Sequence, residues 1–238
     1  MVRMTSEPTP PPRPPRPLRV VAVSGTLSTP SKTDALVREI VTALGDVLPI
    51  EAHVIRVSEL GPLFAGALTR DQLDERVERE LVAIETADLL IAASPVYRAS
   101  FTGLFKHLFD FVEQYALVDV PVLLAATGGS ERHALIIEHS LRPLFGFFQA
   151  LTLPLGVYAH TTDFTATGGA DKYAVTAPLL QERIRNAIQR GLPLIRSSIL
   201  EKGRIEQALD RGEADDALSV DDPRANGLEV TTPTRLFS

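Results

Sequence analysis

The sequence predicts an α/β fold in which helices cover both faces of a doubly wound parallel sheet of five strands. Strand-like and helix-like segments alternate five times along the chain, as in right-handed βαβ crossovers. The strand-like segments are short apolar runs, as expected for strands that are buried on both faces. Five such units favour the strand order 2-1-3-4-5 over the six-stranded order of dinucleotide-binding folds.

The individual elements follow from two periodicities. Apolar runs between turn residues predict strands at residues 18–24, 53–57, 88–94, 120–126 and 153–158. Apolar residues at helical spacing, such as Leu36, Val37, Ile40 and Leu44, predict helices. These helices lie at residues 32–48, 71–86, 103–117, 131–150 and 174–190.

Two polar segments flank the predicted α/β domain, which covers residues 18–195. Residues 1–17 contain seven prolines and no apolar stretch, so we expect a disordered extension rather than a signal peptide. A proline-rich docking peptide is the alternative. Residues 196–238 are acidic and poor in apolar residues, which predicts a polar tail with a short helix near 199–211, or an arm that packs on a second subunit.

Composition excludes several classes of protein. Among 238 residues, 30 acids against 24 bases give a net charge of −6, which disfavours a nucleic-acid binder. The chain has no cysteine, so disulfide scaffolds, thiolate metal sites and iron–sulfur clusters are excluded. No apolar run reaches the length of about 18 residues that a membrane helix needs. We therefore expect a cytoplasmic protein that binds neither nucleic acid nor membranes. The histidines show no metal-ligand spacing, so no metal site is predicted.

Three loops follow strands one, three and four, where open α/β sheets bind ligands. Loop 1 (residues 24–33, SGTLSTPSKT) carries hydroxyls, a glycine and a lysine directly before a helix, which favours a phosphate there. An ordinary strand–helix turn with a Ser or Thr cap is the alternative. The loop is neither a Walker A motif nor a GxGxxG motif, because it lacks the GK[ST] ending and has one glycine.

Loops 2 and 3 have features that suit a flat heterocycle. Loop 2 (residues 94–103, SPVYRASFTG) places Tyr97 among small residues, where it either faces a ring or caps the sheet. Loop 3 (residues 126–130, ATGGS) has two adjacent glycines, which permit positive φ and a close backbone approach to a ligand. The alternative for loop 3 is a plain connection that ends in a helix cap at Ser130.

The segments SGTLSTPSKT, SPVYRASFTGLFKHLFD and ATGGSERH, in that order and spacing, resemble the NAD(P)H-dependent FMN reductases of the flavodoxin-like superfamily. The resemblance covers residues 18–193 and is strongest for the branch that supplies reduced FMN to two-component monooxygenases, such as alkanesulfonate, methanesulfonate and luciferase-like systems. It implies hydride transfer from NADPH or NADH to FMN, with a homodimer or homotetramer as the assembly.

The resemblance also implies the roles of individual residues. Loop 1 would hold the FMN phosphate, loop 2 would line the ribityl chain and one side of the ring, and loop 3 would meet the pyrimidine edge. The candidate cofactor-binding residues are Ser24, Thr26, Ser28, Ser31, Lys32, Thr33, Pro95, Val96, Tyr97, Arg98, Thr127, Gly128, Gly129 and Ser130. No catalytic side chain is expected, because the cofactors perform the hydride transfer and the Gly128 and Gly129 amides stabilise the reduced flavin.

Two positions depart from or refine this pattern. Many relatives have an arginine where Ser28 aligns, which leaves Lys32 as the only cation of loop 1. In the two-component branch, an inserted residue forms a π-bulge in the helix after loop 3, and His139 aligns with it. Single-residue π-bulges often occur at functional sites. An ordinary interface or surface histidine is the alternative.

The same residues leave two other functions open. One is an FMN-containing quinone or azo reductase of the same fold, which would retain its flavin. The other is a non-enzymatic flavin-binding electron carrier or regulator, which would not oxidise NAD(P)H.

Overall fold

The computed structural model describes residues 16–168 and 172–210, with side chains up to residue 205. The main sheet has the order β2-β1-β3-β4-β5, and a sixth strand, β6, also pairs with β4. All of these pairings are parallel, which confirms the predicted α/β class and strand order. The strands are β1 (Leu18–Ser24), β2 (Ile50–Arg56), β3 (Leu89–Pro95), β4 (Pro121–Gly128), β5 (Leu151–Thr152) and β6 (Val157–His160).

The helices pack on both sides of this sheet. Each of α1, α3 and α4 begins after a polar side chain that accepts a hydrogen bond from a first-turn amide, namely Ser31, Asp74 and Thr102. Their apolar faces join the buried core with β1, β3 and β4, which are apolar along almost their whole length. The helices are α1 (Lys32–Gly45), α2 (Val57–Leu60), α3 (Glu75–Glu85), α4 (Gly103–Asp110), α5 (Arg142–Phe147) and α6 (Pro178–Asp210).

The last predicted strand, at residues 153–158, is wrong in its bounds. The structure has two short strands there, β5 before and β6 after a break at residues 153–156. Leu153 still donates a backbone hydrogen bond to Val122 at 2.8 Å. Pro154 follows and has no amide hydrogen, so the ladder to β4 is interrupted until Val157.

The single helix predicted at residues 131–150 is also wrong in its type. The segment contains a 3₁₀ helix (Glu131–Leu135), a π-helix (Ile137–Leu141) and then α5. Pro143 cannot donate to the carbonyl of His139, which weakens α-helical bonding at this point. The π-helix contains His139, which confirms a π-bulge at the position that the alignment indicated.

Tertiary contacts end the helix that was predicted to run from 103 to 117. Helix α4 ends at Asp110, and the Arg70 guanidinium donates to the carbonyl of Phe111 at 3.2 Å. The backbone amide of Glu113 donates to Glu85 at 2.9 Å. These partners come from a distant part of the chain, so helical spacing alone overestimates the length.

The C-terminal part of the described chain also differs from the prediction. A short antiparallel hairpin of β7 (Phe164–Ala166) and β8 (Tyr173–Val175) precedes α6, and no strand was predicted there. Helix α6 continues to Asp210 with Pro193 inside it, instead of ending at 190. The chain divides into two compact units between Ile195 and Arg196. Residues 1–15 of the predicted N-terminal extension and residues 211–238 lie outside the described residues. Within the described residues, no helix is long and apolar enough to span a membrane.

Candidate functional site

Loop 1 joins β1 to α1 and is organised by buried hydroxyls. The side chain of Ser31 accepts hydrogen bonds from the amides of Thr33 at 3.1 Å and Asp34 at 3.3 Å, so its own hydrogen stays available to a ligand. Thr26 is buried and its hydroxyl donates to the carbonyl of Ser28 at 3.2 Å. Ser28 itself is exposed. The loop therefore presents the hydroxyls of Ser28 and Ser31 at the start of α1, whose first-turn amides at Thr33 and Asp34 are capped by Ser31.

Ser24 and Asp34 support loop 1 from inside the protein. Ser24 is fully buried and its hydroxyl donates to the Asp34 carboxylate, so the hydroxyl hydrogen of Ser24 is not available to a ligand. Burial raises the pKa of Asp34, and the hydrogen bond from Ser24 and the charge of Arg56, whose Nε lies 3.8 Å away, act in the opposite direction. The sequence analysis missed Asp34, although a carboxylate in the first turn of a mostly apolar helix is a usable signal.

Lys32 is the only cation of loop 1, and it has protein partners. Its ammonium donates to the carbonyl of Thr161 at 3.1 Å and lies 5.4 Å from the ring centroid of Tyr173. Both partners belong to the segment between β6 and α6, which sequence reasoning did not connect with loop 1. The charge of Lys32 is thus held close to the start of α1.

Loop 2 forms a tight turn at the carboxyl end of β3. The amide of Tyr97 donates to the carbonyl of Ser100 at 2.8 Å, and the amide of Ser100 donates to the carbonyl of Tyr97 at 3.1 Å. The two residues between them, Arg98 and Ala99, have φ values of 50° and 67°. The Tyr97 side chain is 47% exposed, so it lies at the surface of the site rather than capping the sheet.

Loop 3 is held by Tyr158, another residue that sequence reasoning missed. The buried Tyr158 hydroxyl donates to the carbonyl of Ser130 at 2.6 Å, and burial raises its pKa. A Cβ on Gly128 would lie 2.3 Å from this hydroxyl, so close packing requires glycine there. Neither Gly128 nor Gly129 has φ in the left-handed region, which corrects the expectation of positive φ. The space beside Gly129 is open.

Direct hydrogen bonds join the three loops to one another. The hydroxyls of Thr33 in loop 1 and Thr127 in loop 3 lie 2.7 Å apart. The amide of Val96 in loop 2 donates to the carbonyl of Thr127 at 2.8 Å. The hydroxyl of Thr102 in loop 2 donates to the carbonyl of Gly25 in loop 1 at 2.7 Å. The predicted site residues therefore come together at one edge of the sheet.

These residues divide into a buried base and an exposed rim. The base consists of Ser24, Thr26, Ser31, Thr33, Thr127 and Gly128. Partly buried residues follow, namely Lys32, Pro95, Val96 and Ser130. The rim consists of Ser28, Tyr97, Arg98 and Gly129. Hydroxyl donors at loop 1 and the exposed Tyr97 and Gly129 of loops 2 and 3 suit a phosphorylated planar ring such as FMN.

A separate cleft of about 780 Å³ opens beside loop 3. It contains His160, Arg183 and Asn186 and reaches Glu131 and Tyr158, but it includes no residue of loop 1 or loop 2. Arg183 donates to Asp163 at 3.1 Å inside this cleft. Its charges are therefore partly satisfied within the protein, and it is not the junction of the three loops. In the described residues, no group of three or more His, Asp or Glu side chains is placed to hold a metal ion.

Comparisons with known proteins identify the family. A family model described as NADPH-dependent FMN reductase matches residues 18–165. The chain is 54% identical over 175 residues to the NADH-dependent FMN reductase SfnF of Pseudomonas fluorescens, covering 74% of this chain and 90% of that protein. It is 49% identical over 183 residues to an FMN reductase (NADPH) of Pseudomonas aeruginosa, covering 76% of this chain and 95% of the relative.

Solved structures agree with the flavodoxin-like fold. An oxidoreductase from Corynebacterium diphtheriae has a TM-score of 0.64 and 34% identity, covering 76% of this chain and 98% of that one. The apo form of the NADH:FMN oxidoreductase EmoB has a TM-score of 0.63 and 27% identity, covering 75% of this chain and 88% of that one. The chain belongs to the NADPH-dependent FMN reductase family, a family of oxidoreductases that use FMN and NAD(P)H.

Proposed function

We propose that this protein catalyses hydride transfer from NADH or NADPH to FMN at the junction of loops 1, 2 and 3, and that the reduced FMN leaves to serve a separate flavin-dependent monooxygenase. The observation that carries the proposal is the direct bonding of the three loops around Thr127 and Gly25. It joins the proposed phosphate donors of loop 1 to the exposed residues Tyr97 and Gly129 of loops 2 and 3. Family membership supports the same reaction.

Loop 1 is the proposed phosphate site. The positive end of the α1 dipole favours an anion, while the amides of Thr33 and Asp34 are capped by the Ser31 side chain. The hydroxyls of Ser28 and Ser31 add donors, and Lys32 adds a positive charge near the helix start. Ser24 and Asp34 keep the loop in shape without contacting the ligand. Because the phosphate is the only charged group of FMN at neutral pH, this end sets the orientation of the ring.

Loops 2 and 3 are the proposed ring site. Tyr97 would lie on one side of the ring, and the amides of Gly128 and Gly129 are the proposed donors to the edge where negative charge develops on reduction. Bound FMN supplies the redox chemistry, because its ring accepts the two electrons and the hydrogen that the dihydronicotinamide loses. The protein holds the two rings at reacting distance and excludes water from their contact. No side-chain acid or base is required for this step.

An exchangeable flavin fits the surface of the site. Ser28, Tyr97 and Gly129 are exposed, and Lys32 shares its ammonium with the Thr161 carbonyl. Two features weaken retention of FMN, namely the open rim and the absence of a second cation in loop 1. A dissociating flavin is what a supplier of reduced FMN needs.

Reduced nicotinamide nucleotides are consumed in the cytoplasm, which supports a cytoplasmic location.

A homodimer or homotetramer is the proposed assembly. A groove of about 450 Å³ lies between α4 and α5 and is lined by Phe109, Val112, Leu144, Phe147 and Phe148. Phe147 is 62% exposed, which is unusual for a large aromatic side chain unless a second surface covers it. A second copy of the chain is the proposed partner. Light scattering on the purified protein measures its mass, and a strictly monomeric protein would contradict this part of the proposal.

The reaction is tested by mixing the protein with NADH or NADPH and increasing FMN while the absorbance of the reduced nicotinamide is followed. A parallel desalting step measures how much FMN stays bound. The proposal expects saturable oxidation that depends on added FMN, and a nearly colourless protein after desalting. A yellow protein that reduces quinones or azo dyes faster than FMN would indicate a flavin-retaining reductase instead. No nicotinamide oxidation at all would indicate an electron carrier and reject the enzyme activity.

A further inference from the structure

Arg98 occupies a backbone conformation that is costly for its side chain. Arg98 and Ala99 form the centre of the turn between Tyr97 and Ser100, with φ values of 50° and 67°. Turns with two left-handed central residues normally use Asn-Gly or Gly-Gly, which adopt that conformation with little strain. An arginine here is disfavoured by the backbone, and strained positions of this kind concentrate at ligand-binding sites.

The turn holds Arg98 at the rim of the proposed site. It follows β3 directly, and the amide of Val96 anchors it to Thr127 of loop 3 at 2.8 Å. The reciprocal bonds between Tyr97 and Ser100 close the turn. The position of the Arg98 backbone is therefore fixed next to the ring site, and its exposed side chain extends from that point into solvent.

The guanidinium of Arg98 has no acidic partner within residues 16–168 and 172–210. Of the other cations near the site, Lys32 donates to Thr161 and Arg183 donates to Asp163, whereas Arg132, two residues after loop 3, is exposed and also has no acidic partner among the described residues. The whole chain carries a net charge of −6, which repels anionic substrates. An exposed guanidinium at the rim attracts anions to this part of the surface.

We infer that Arg98 binds the pyrophosphate of the reduced nicotinamide dinucleotide, and this inference rests on the proposed function. Loop 1 is the proposed site of the FMN phosphate, so the remaining anions are the pyrophosphate, which both nucleotides carry, and the 2′-phosphate of NADPH. A planar guanidinium binds two phosphate oxygens at once. The pyrophosphate is common to NADH and NADPH, so Arg98 acts on both donors, and it does not take part in the hydride step.

The test replaces Arg98 by asparagine, because asparagine tolerates the left-handed conformation and preserves the turn. Arg98→Asn is expected to raise the KM for both NADH and NADPH by about tenfold or more, as for the loss of a hydrogen bond to a charged group. Because Arg98 is also one of the candidate FMN contacts, the KM for FMN is measured in parallel, and a rise as large as the rise for the nucleotides would assign Arg98 to the flavin and overturn the inference. The thermal midpoint should change little. Arg98→Lys should restore part of the affinity. The matched control is Arg76→Asn, which removes an exposed arginine from the first turn of α3.

A hydride donor without phosphate, 1-benzyl-1,4-dihydronicotinamide, separates binding from chemistry. Its rate should fall less than twofold in Arg98→Asn. An equal fall with this donor and with NADH would overturn the inference, because Arg98 would then act on the ring site. A rise in KM for NADPH alone would also overturn it, in favour of contact with the 2′-phosphate, and an equal effect of Arg76→Asn would assign the change to overall charge. If the unmodified protein oxidises neither nucleotide with FMN, the proposed function itself fails.

Discussion

The hydroxyls of Thr33 and Thr127 lie 2.7 Å apart in the protein interior, although 94 residues separate them in sequence. Thr33 is in the first turn of α1 and Thr127 is near the end of β4. Their contact fixes the distance between the proposed phosphate site and the proposed ring site. It is therefore the structural link between the two ends of the candidate flavin site.

Removal of one hydroxyl from this pair should destabilise the protein. Thr33→Val leaves Thr127 buried without its partner, and we expect the free energy of unfolding to fall by about 1–3 kcal/mol. Thr127→Val should act in the same way. The double variant should lose less than the sum of the two, because both hydroxyls are then absent. Urea unfolding of all four proteins measures the coupling, and strictly additive losses would show that the pair does not interact.

A negative charge in loop 1 should repel the FMN phosphate. Thr26 is buried, so a charge there would also disturb the fold, and the exposed Ser28 is the better position. We expect Ser28→Glu to weaken FMN binding at least about tenfold while the thermal midpoint stays constant. Ser28→Gln is the matched neutral control. Quenching of FMN fluorescence measures the affinity, and equal affinities for the two variants would remove the phosphate from this loop.

Gly25 in loop 1 and Gly129 in loop 3 should respond differently to an added methyl group. A Cβ on Gly25 would lie 2.6 Å from a ring carbon of Phe105, so Gly25→Ala should lower the free energy of unfolding by about 1–3 kcal/mol. The space beside Gly129 is open, so Gly129→Ala should leave stability unchanged and raise the KM for FMN. Thermal unfolding and steady-state kinetics separate these effects. A normal KM for Gly129→Ala would mean that the ligand does not approach loop 3 closely.

Tyr158→Phe should loosen loop 3 without emptying the space under it. The ring stays, but the hydrogen bond to the Ser130 carbonyl is lost, and we expect a loss of about 0.5–1.5 kcal/mol in stability. The rate of FMN reduction should fall because the Gly128 and Gly129 amides are less well positioned. Stopped-flow measurement of flavin reduction tests this, with the stability measured on the same preparation. An unchanged rate would limit Tyr158 to a packing role.

Asp34 gives a prediction about pH. Burial raises its folded-state pKa above the ordinary value of 3.8, so the folded protein holds this proton more tightly than the unfolded chain does. Relative to Asp34→Asn, the unmodified protein should therefore lose stability as the pH rises from 3.8 through the folded-state pKa. The loss should not exceed about 1.4 kcal/mol per pH unit and should level off above that pKa. If the unmodified protein instead gained stability relative to Asp34→Asn as the pH rises, the effects of Arg56 and Ser24 on the pKa of Asp34 would outweigh burial.

The convergence of the three loops was predictable, because parallel strands place their carboxyl ends at one sheet edge. The hydrogen bonds between the loops could not be predicted from the sequence. Thr102 caps α4 at the amide of Phe105, and its second partner, the Gly25 carbonyl, depends on the exact separation of two strands. Tyr158 looked like part of an apolar strand, and its bond to Ser130 exists only in the tertiary structure.

The irregular elements were the weakest part of the sequence interpretation. Pro154 and Pro143 are visible signals, and they explain the interrupted strand and the interrupted helix, but periodicity alone passes over them. The π-helix around His139 emerged only from alignment with a family. The hairpin of β7 and β8 has three residues in each strand, which is too short to show strand periodicity.

A crystal structure of the protein with FMN tests the central claim most directly. The account predicts the phosphate against Ser28, Ser31 and Lys32, with the ring between Tyr97 and Gly129. Flavin bound instead in the cleft lined by His160 and Arg183, with loops 1 and 2 empty, would contradict it.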